Sequence, residues 1–257
     1  MSSPAPLLGF FKRGEVARDV RLLAAQGVLA PRAGEQLEIL ALLIDDADPE
    51  IRDTAERTLS RIPLEALQTF LGRSDVSIGL REFFADRGIF PVEIPTIIVP
   101  DDEPLVEAAG ADAADLDDDA NDTREGAVEK LAQMGFPERL RAAMKGTREM
   151  RAILIRDPNK MIAAAVLSSP KVSEPEVESF ARMANVSEDV LRVIGSNRAW
   201  LKNYGIVVGL TKNPKTPLGL SLNLMSRLND RDMTMLSVDR NVPEPLRVAA
   251  RKRATKA

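Results

Sequence analysis

The stretch Asp48-Pro49-Glu50-Ile51-Arg52-Asp53-Thr54-Ala55-Glu56-Arg57-Thr58-Leu59 decides how the fold is read. An aspartate followed by proline starts a helix: the carboxylate accepts from orphan amides, and proline fits the first helical position because it has no N–H to waste. Ile51, Ala55 and Leu59 then recur every four residues and stack on one helix face. Arg52, Asp53, Glu56 and Arg57 take the opposite face. This is an amphipathic helix with one side to bury.

The same grammar extends outward. Asp157-Pro158 repeats the start, followed by Met161, Ile162, Ala165 and Val166. Ser173-Glu174-Pro175-Glu176 has the form of a capping box and precedes the stripe Val177, Phe180, Ala181, Ala184. Further helices are expected over 15–26, 31–44, 63–71, 76–86, 125–134, 137–145, 147–155, 187–194, 199–209, 217–227, 230–238 and 243–255. Short helices joined by brief turns rich in Pro, Asn, Asp and Gly predict an all-α chain of stacked helical hairpins.

A shift of 44 residues aligns Ile162 with Ile206, Pro170 with Pro214 and Lys171 with Lys215, while Ala163, Ala164 and Val166 fall on Val207, Val208 and Leu210. The shift also pairs Phe180 with Leu224, Leu191 with Met235 and Asn197 with Asn241. A period of this size belongs to repeats of two or three helices, which bury their apolar stripes only by stacking. The run from Asp48 to Ala55 resembles the Asp-Pro-x-Val-Arg-x-x-Ala signature of HEAT-type repeats. The first 70 residues and the turns Asn213-Pro214-Lys215 and Asn241-Val242-Pro243 are similar to uncharacterised bacterial HEAT-like proteins. That resemblance implies an α-solenoid and a role as a binding platform. It brings no activity with it.

The net charge of −4 is a sum of unlike parts. Residues 1–100 carry −4, residues 101–125 carry −10 and residues 126–257 carry +10. The middle block, rich in Asp, Ala and Gly, has too little apolar content to offset its ordering entropy and reads as a disordered acidic linker. Before it, three prolines between Pro91 and Pro100 forbid a helix and the run Thr96–Val99 favours an extended strip. Its apolar residues Ile94, Ile97, Ile98 and Val99 either lie over their own domain or pair with a partner's sheet edge. The expected organisation is therefore a HEAT-like helical domain over 1–91, an extended then disordered linker over 92–124, and a helical-repeat domain over 125–257. The N-terminal Leu7, Leu8, Phe10 and Phe11 lack the basic lead-in of an export signal, so they are expected to tuck onto the first helices of a bacterial cytoplasmic protein.

The chain has no Cys and no His. Disulfides, thiolate and imidazole metal ligands, Cys nucleophiles and Ser-His-Asp chemistry are thereby excluded. Ser168-Ser169-Pro170-Lys171 matches a bare Ser-x-x-Lys without its companion motifs, and residues 209–216 imitate a phosphate loop without its Gly-Lys-Ser/Thr end. Asp117-Asp118-Asp119 lies in the linker, with no scaffold to fix a carboxylate pair. No enzyme activity, cofactor or metal is expected.

The remaining candidates are partner-binding residues. Arg198, Trp200, Lys202 and Tyr204 hold the only Trp and the only Tyr. On a continuous helix these two rings share a face, either as core pieces or as a binding hot spot. Lys212, Lys215, Arg247 and Arg251 extend the group into a basic stripe, either solvated or used for phosphates. The expected function is a non-catalytic scaffold or adaptor for an unidentified protein, its basic half masked by the acidic linker. Nucleic-acid or polyanion binding through 126–257 is the alternative.

Overall fold

The computed structural model describes residues 5–29, 31–92, 103–106 and 124–254. They form sixteen α-helices and one 3-10 turn, with no strand among the described residues, so the chain is all-α. It divides into two compact units: Met1–Leu154 with Met161–Lys171, and Ile155–Lys160 with Val172–Ala257. The compositional boundaries at 91 and 125 both fall inside the first unit. Ile94, Ile97, Ile98, Val99 and the Asp117–Asp119 run lie outside the described residues, while Glu103–Val106 are placed against a helix of the first unit.

In the first unit, α1 (Leu8–Lys12), α2 (Arg18–Ala25), α4 (Pro49–Ser60) and α6 (Ile78–Ala85) pack on α3 (Ala33–Leu43). The α3 sequence is apolar on all sides, which is the mark of an interior helix, and Leu37, Ile39, Leu40 and Leu43 are buried. Its polar residues Glu35 and Gln36 are buried with them. Helix α1 is the tucked N-terminal peptide, with Leu7, Leu8 and Phe11 in the core and Phe10 half-buried.

The decisive stretch behaves as read. Asp48 accepts from the Glu50 amide at 2.9 Å, and Ile51, Ala55 and Leu59 are buried. Arg18 of α2 donates to Asp48 at 2.6 Å and to Glu50, clamping the starts of α2 and α4. At the other end, Thr58 donates to the Ala25 carbonyl at 2.6 Å and satisfies a buried carbonyl at the end of α2. That end is closed by Gly27 at φ 75°, with the Val28 amide reaching back to the Leu23 carbonyl. A Cβ is strained there, so Gly27→Ala should lower stability by about 1 kcal/mol in urea unfolding.

Helices α5 (Leu64–Leu71), α7 (Arg124–Gln133), α8 (Phe136–Lys145), α9 (Arg148–Leu154) and most of α10 (Lys160–Ser168) complete this unit, with α9 packed on both α7 and α8. One contact crosses the charge blocks and a second ties residue 171 back to α8 within the basic block. The Arg32 amide donates to the Ser168 carbonyl at 3.4 Å, and Lys171 Nζ donates to the Lys145 carbonyl at 3.2 Å. One correction concerns Asp157-Pro158. The helix begins at Lys160, because the Asp157 carboxylate accepts from Asn159 at 2.8 Å in a local turn instead of capping.

In the second unit, α11 (Glu174–Arg182) packs on α13 (Tyr204–Lys212), α13 on α14 (Leu218–Met225), α14 on α16 (Glu244–Ala254), and α15 (Asp230–Val238) on α16. Helix α12 (Glu188–Ser196) lies against α11 and α13. Helices α11 and α13 approach closely because Gly205 and Gly209 present no side chain: a Cβ on Gly209 would lie 3.2 Å from that of Ala181. Glu176 of α11 accepts from the Ser173 amide at 3.0 Å and from its hydroxyl at 2.8 Å, as the expected capping box requires. The last three helices share a core of Met225, Met233, Leu236, Val242, Leu246 and Ala250.

The 44-residue shift reappears in the helix limits. Lys160–Ser168 and Tyr204–Lys212 coincide at both ends, and α11 and α14 begin at Glu174 and Leu218. It also reappears in the turns. After α10, the Ser169 hydroxyl donates to the Met144 carbonyl of α8 at 2.6 Å and accepts from the Lys171 amide at 3.2 Å. After α13, the Asn213 side chain donates to the Ala181 and Met183 carbonyls at 2.9 and 3.0 Å and accepts from the Lys215 amide at 3.0 Å. Residues 44 apart thus use different side chains to hold an earlier helix end and the following turn.

Candidate interaction site

The expected hot spot sits where the chain interrupts a helix. Asn203 is extended, at φ −74° and ψ 116°, and its side chain accepts from the Gly205 amide at 2.8 Å. It therefore caps a new helix. Trp200 is in the preceding 3-10 turn (Trp200–Lys202), and Tyr204 opens α13. The expectation that both rings share one face of a helix over 199–209 is corrected on this point. Trp200 is a core residue at 5% exposure, while Tyr204 remains 41% exposed.

Tyr204 belongs to a polar node that spans α13 and α15. Its hydroxyl donates to Asp232 Oδ2 at 2.7 Å and accepts from the Asn229 amide at 3.2 Å. Lys212, two turns further along α13, donates to Asp232 Oδ1 at 2.8 Å. The Asn229 side chain caps α15 by accepting from the Asp232 amide at 2.7 Å. The Lys212 ammonium, then the Tyr204 hydroxyl, hold the Asp232 carboxyl below the usual carboxylate range. Partial burial and the neighbouring Asp232 raise the Tyr204 phenol. The node joins α13 to α15, past the intervening α14, rather than offering three free groups to a ligand. Because it is partly wet, Tyr204→Phe should cost only about 1 kcal/mol in urea unfolding, and a loss above about 2 would show a stronger lock.

The basic stripe is likewise partly committed. Arg247 pairs with Glu244 at 3.5 Å and reaches the Asp239 carbonyl, while Arg251 donates to the Ser237 carbonyl at 3.4 Å. Arg198 is exposed and is not free of partners. Lys202 and Lys215 are exposed and carry no ion pair among the described residues. The Ser-x-x-Lys imitation is structural: Ser168 and Ser169 are fully buried, with their hydroxyls on the Ala164 and Met144 carbonyls.

No protein-family model, curated protein or solved structure matches this chain. Among the described residues, no cluster of three acidic side chains is placed to hold a metal ion, and no helix is long and apolar enough to cross a membrane.

A second polar site was not foreseen from the sequence. Glu35 is buried in the first unit, where its Oε1 accepts from the Leu7 and Leu8 amides at 2.6 and 3.0 Å. A carboxylate from α3 thus caps the start of α1. Burial pushes the Glu35 carboxyl up to about 7, opposed by the Ser168 hydroxyl, the two amides and the charge of Arg32. The signal was present in the composition of α3: a helix with apolar residues all round must bury its polar ones too.

Proposed function

We propose that the chain is a HEAT-like α-solenoid acting as a non-catalytic scaffold or adaptor for another protein. The observation that carries this reading is the recurrence of helix limits and turn clamps at 44 residues. Such repeats present extended, substitutable surfaces rather than a single enclosed pocket. The exposed Lys202 and Lys215 are the proposed partner-facing side chains of the second unit, whereas the Tyr204 hydroxyl is taken up by the Asp232 node. Affinity capture with wild type and with Lys202→Glu/Lys215→Glu tests the reading. A protein retained by wild type and depleted at least ten-fold by the double variant supports it. Equal capture by both, or capture of nothing, overturns it.

Polyanion binding is the weaker reading. Lys212 is paired with Asp232, Arg247 with Glu244, and Arg251 donates to the Ser237 carbonyl, so three cations of the basic stripe are already engaged within the fold. The full-length protein should show no retention of a short DNA duplex at about 50 mM salt. Tight binding that weakens steeply toward about 200 mM would instead favour the nucleic-acid reading.

A further inference from the structure

Four residues of the acidic segment, Glu103-Pro104-Leu105-Val106, are seated on the N-terminal end of α3. The contact is made almost wholly to backbone. Gln36 Oε1 accepts from the Leu105 and Val106 amides at 2.8 and 3.2 Å, and Gln36 Nε2 donates to the Val106 carbonyl. The Ala33 amide, one of the orphan donors of the first helical turn, donates to the Glu103 carbonyl at 3.1 Å. Gln36 is 2% exposed, so its primary amide must find partners or carry a desolvation cost. One short peptide supplies two donors to its oxygen and an acceptor to its nitrogen.

The pattern defines an occupant. A carbonyl is needed at the first position, no donor at the second, and donors at the third and fourth. Proline fits the second position because it has no N–H to leave unpaired, and it biases the residue before it toward extended backbone. Leu105 and Val106 are half-buried and Glu103 is exposed, so side chains contribute apolar contact without a specific polar reading. Gln36 also borders an apolar cavity lined by Leu7, Phe11, Leu29 and Ile39.

We infer that the start of α3, with Gln36 as its grip, is a clamp for the backbone of a bent peptide that turns two successive amides toward one oxygen, held in cis by residues 103–106. The partner it fits is a bent segment of another protein that offers a backbone carbonyl, then a proline, then two aliphatic residues with free amides. The tethered segment competes at high effective concentration, so such a partner binds by displacing it. This inference concerns the first unit and stands apart from the scaffold reading of the second.

The probe is a fluorescent peptide of residues 101–108, titrated into the full-length chain and into a full-length variant with residues 103–106 replaced by Gly-Ser-Gly-Ser. The variant should bind the peptide at least ten-fold more tightly than the intact chain does. N-methylation of the peptide at its Leu105 and Val106 amides should then weaken binding at least ten-fold. If the variant fails to fold, amide hydrogen exchange on the intact chain gives the answer: excess peptide should accelerate exchange at Leu105 and Val106 several-fold. No binding to the folded variant, equal binding of the N-methylated peptide, or unchanged exchange under excess peptide overturns the inference. So does a dimer with exchanged segments, which would make a second copy the occupant.

Discussion

An Asn213→Ala protein should lose about 3 kcal/mol of stability in its second unit, at roughly 1 kcal/mol for each of three hydrogen bonds. The side chain is 3% exposed and serves the Ala181 carbonyl, the Met183 carbonyl and the Lys215 amide together. Alanine leaves the carbonyls at the end of α11 without this donor, and no other side chain in the turn replaces it. Urea unfolding followed by amide exchange in α11 and α13 reads the effect. Ser169→Ala is the matched comparison, because Ser169 makes one bond to a carbonyl and one from an amide where Asn213 makes three. A loss for Asn213→Ala no larger than that for Ser169→Ala would show that the turn does not depend on the clamp.

The second large effect depends on pH. Glu35 titrates near 7 in the folded chain against an ordinary 4.5, so folding favours its neutral form. The unfolded chain releases this proton first as pH rises. Stability linked to Glu35 is therefore fully present below about pH 4.5 and is lost progressively as pH rises to and beyond 7. The full loss is about 3 kcal/mol, from roughly 1.4 kcal/mol per pH unit. Glu35→Gln keeps an oxygen for the Leu7 and Leu8 amides and has no proton to lose. It should match wild type near pH 4 and exceed it by up to about 3 kcal/mol near pH 8. Thermal or urea unfolding across that range checks the prediction. Parallel profiles for the two proteins would mean that Glu35 ionises as an ordinary surface carboxyl.

Local sequence grammar made the helices legible. Asp48-Pro49, the four-residue stripes and the short polar turns act within a few residues, and the observed helices fall close to the expected ranges. The repeat was legible for the same reason: apolar phase survives where identity does not. Side chains acting over distance were not. Asn203 is unremarkable in sequence, yet its capping bond splits the expected helix over 199–209 and sends Trp200 and Tyr204 to different environments. Glu35 and Gln36 read as ordinary surface residues until the all-round apolar character of α3 is weighed. The proline-rich strip and the charge blocks placed domain boundaries at 91 and 125, whereas the first unit spans both positions, with the Arg32 amide donating to the Ser168 carbonyl across them.

The helices of the two regions also end in different ways. The described glycines with positive φ are Gly14, Gly27 and Gly88, all early in the chain, where each closes a helix by turning the backbone left-handed. After residue 124, α11, α12, α13 and α15 end instead on extended residues: Met183, Asn197, Asn213 and Asp239. The two regions should therefore tolerate mutational drift under different rules. In the early region the fixed positions are the glycines themselves, whatever surrounds them. At the turns after α10 and α13 the constraint falls instead on whether a buried polar side chain can still reach the carbonyls of an earlier helix. The serine at 169 and the asparagine at 213 are two independent solutions to that single constraint.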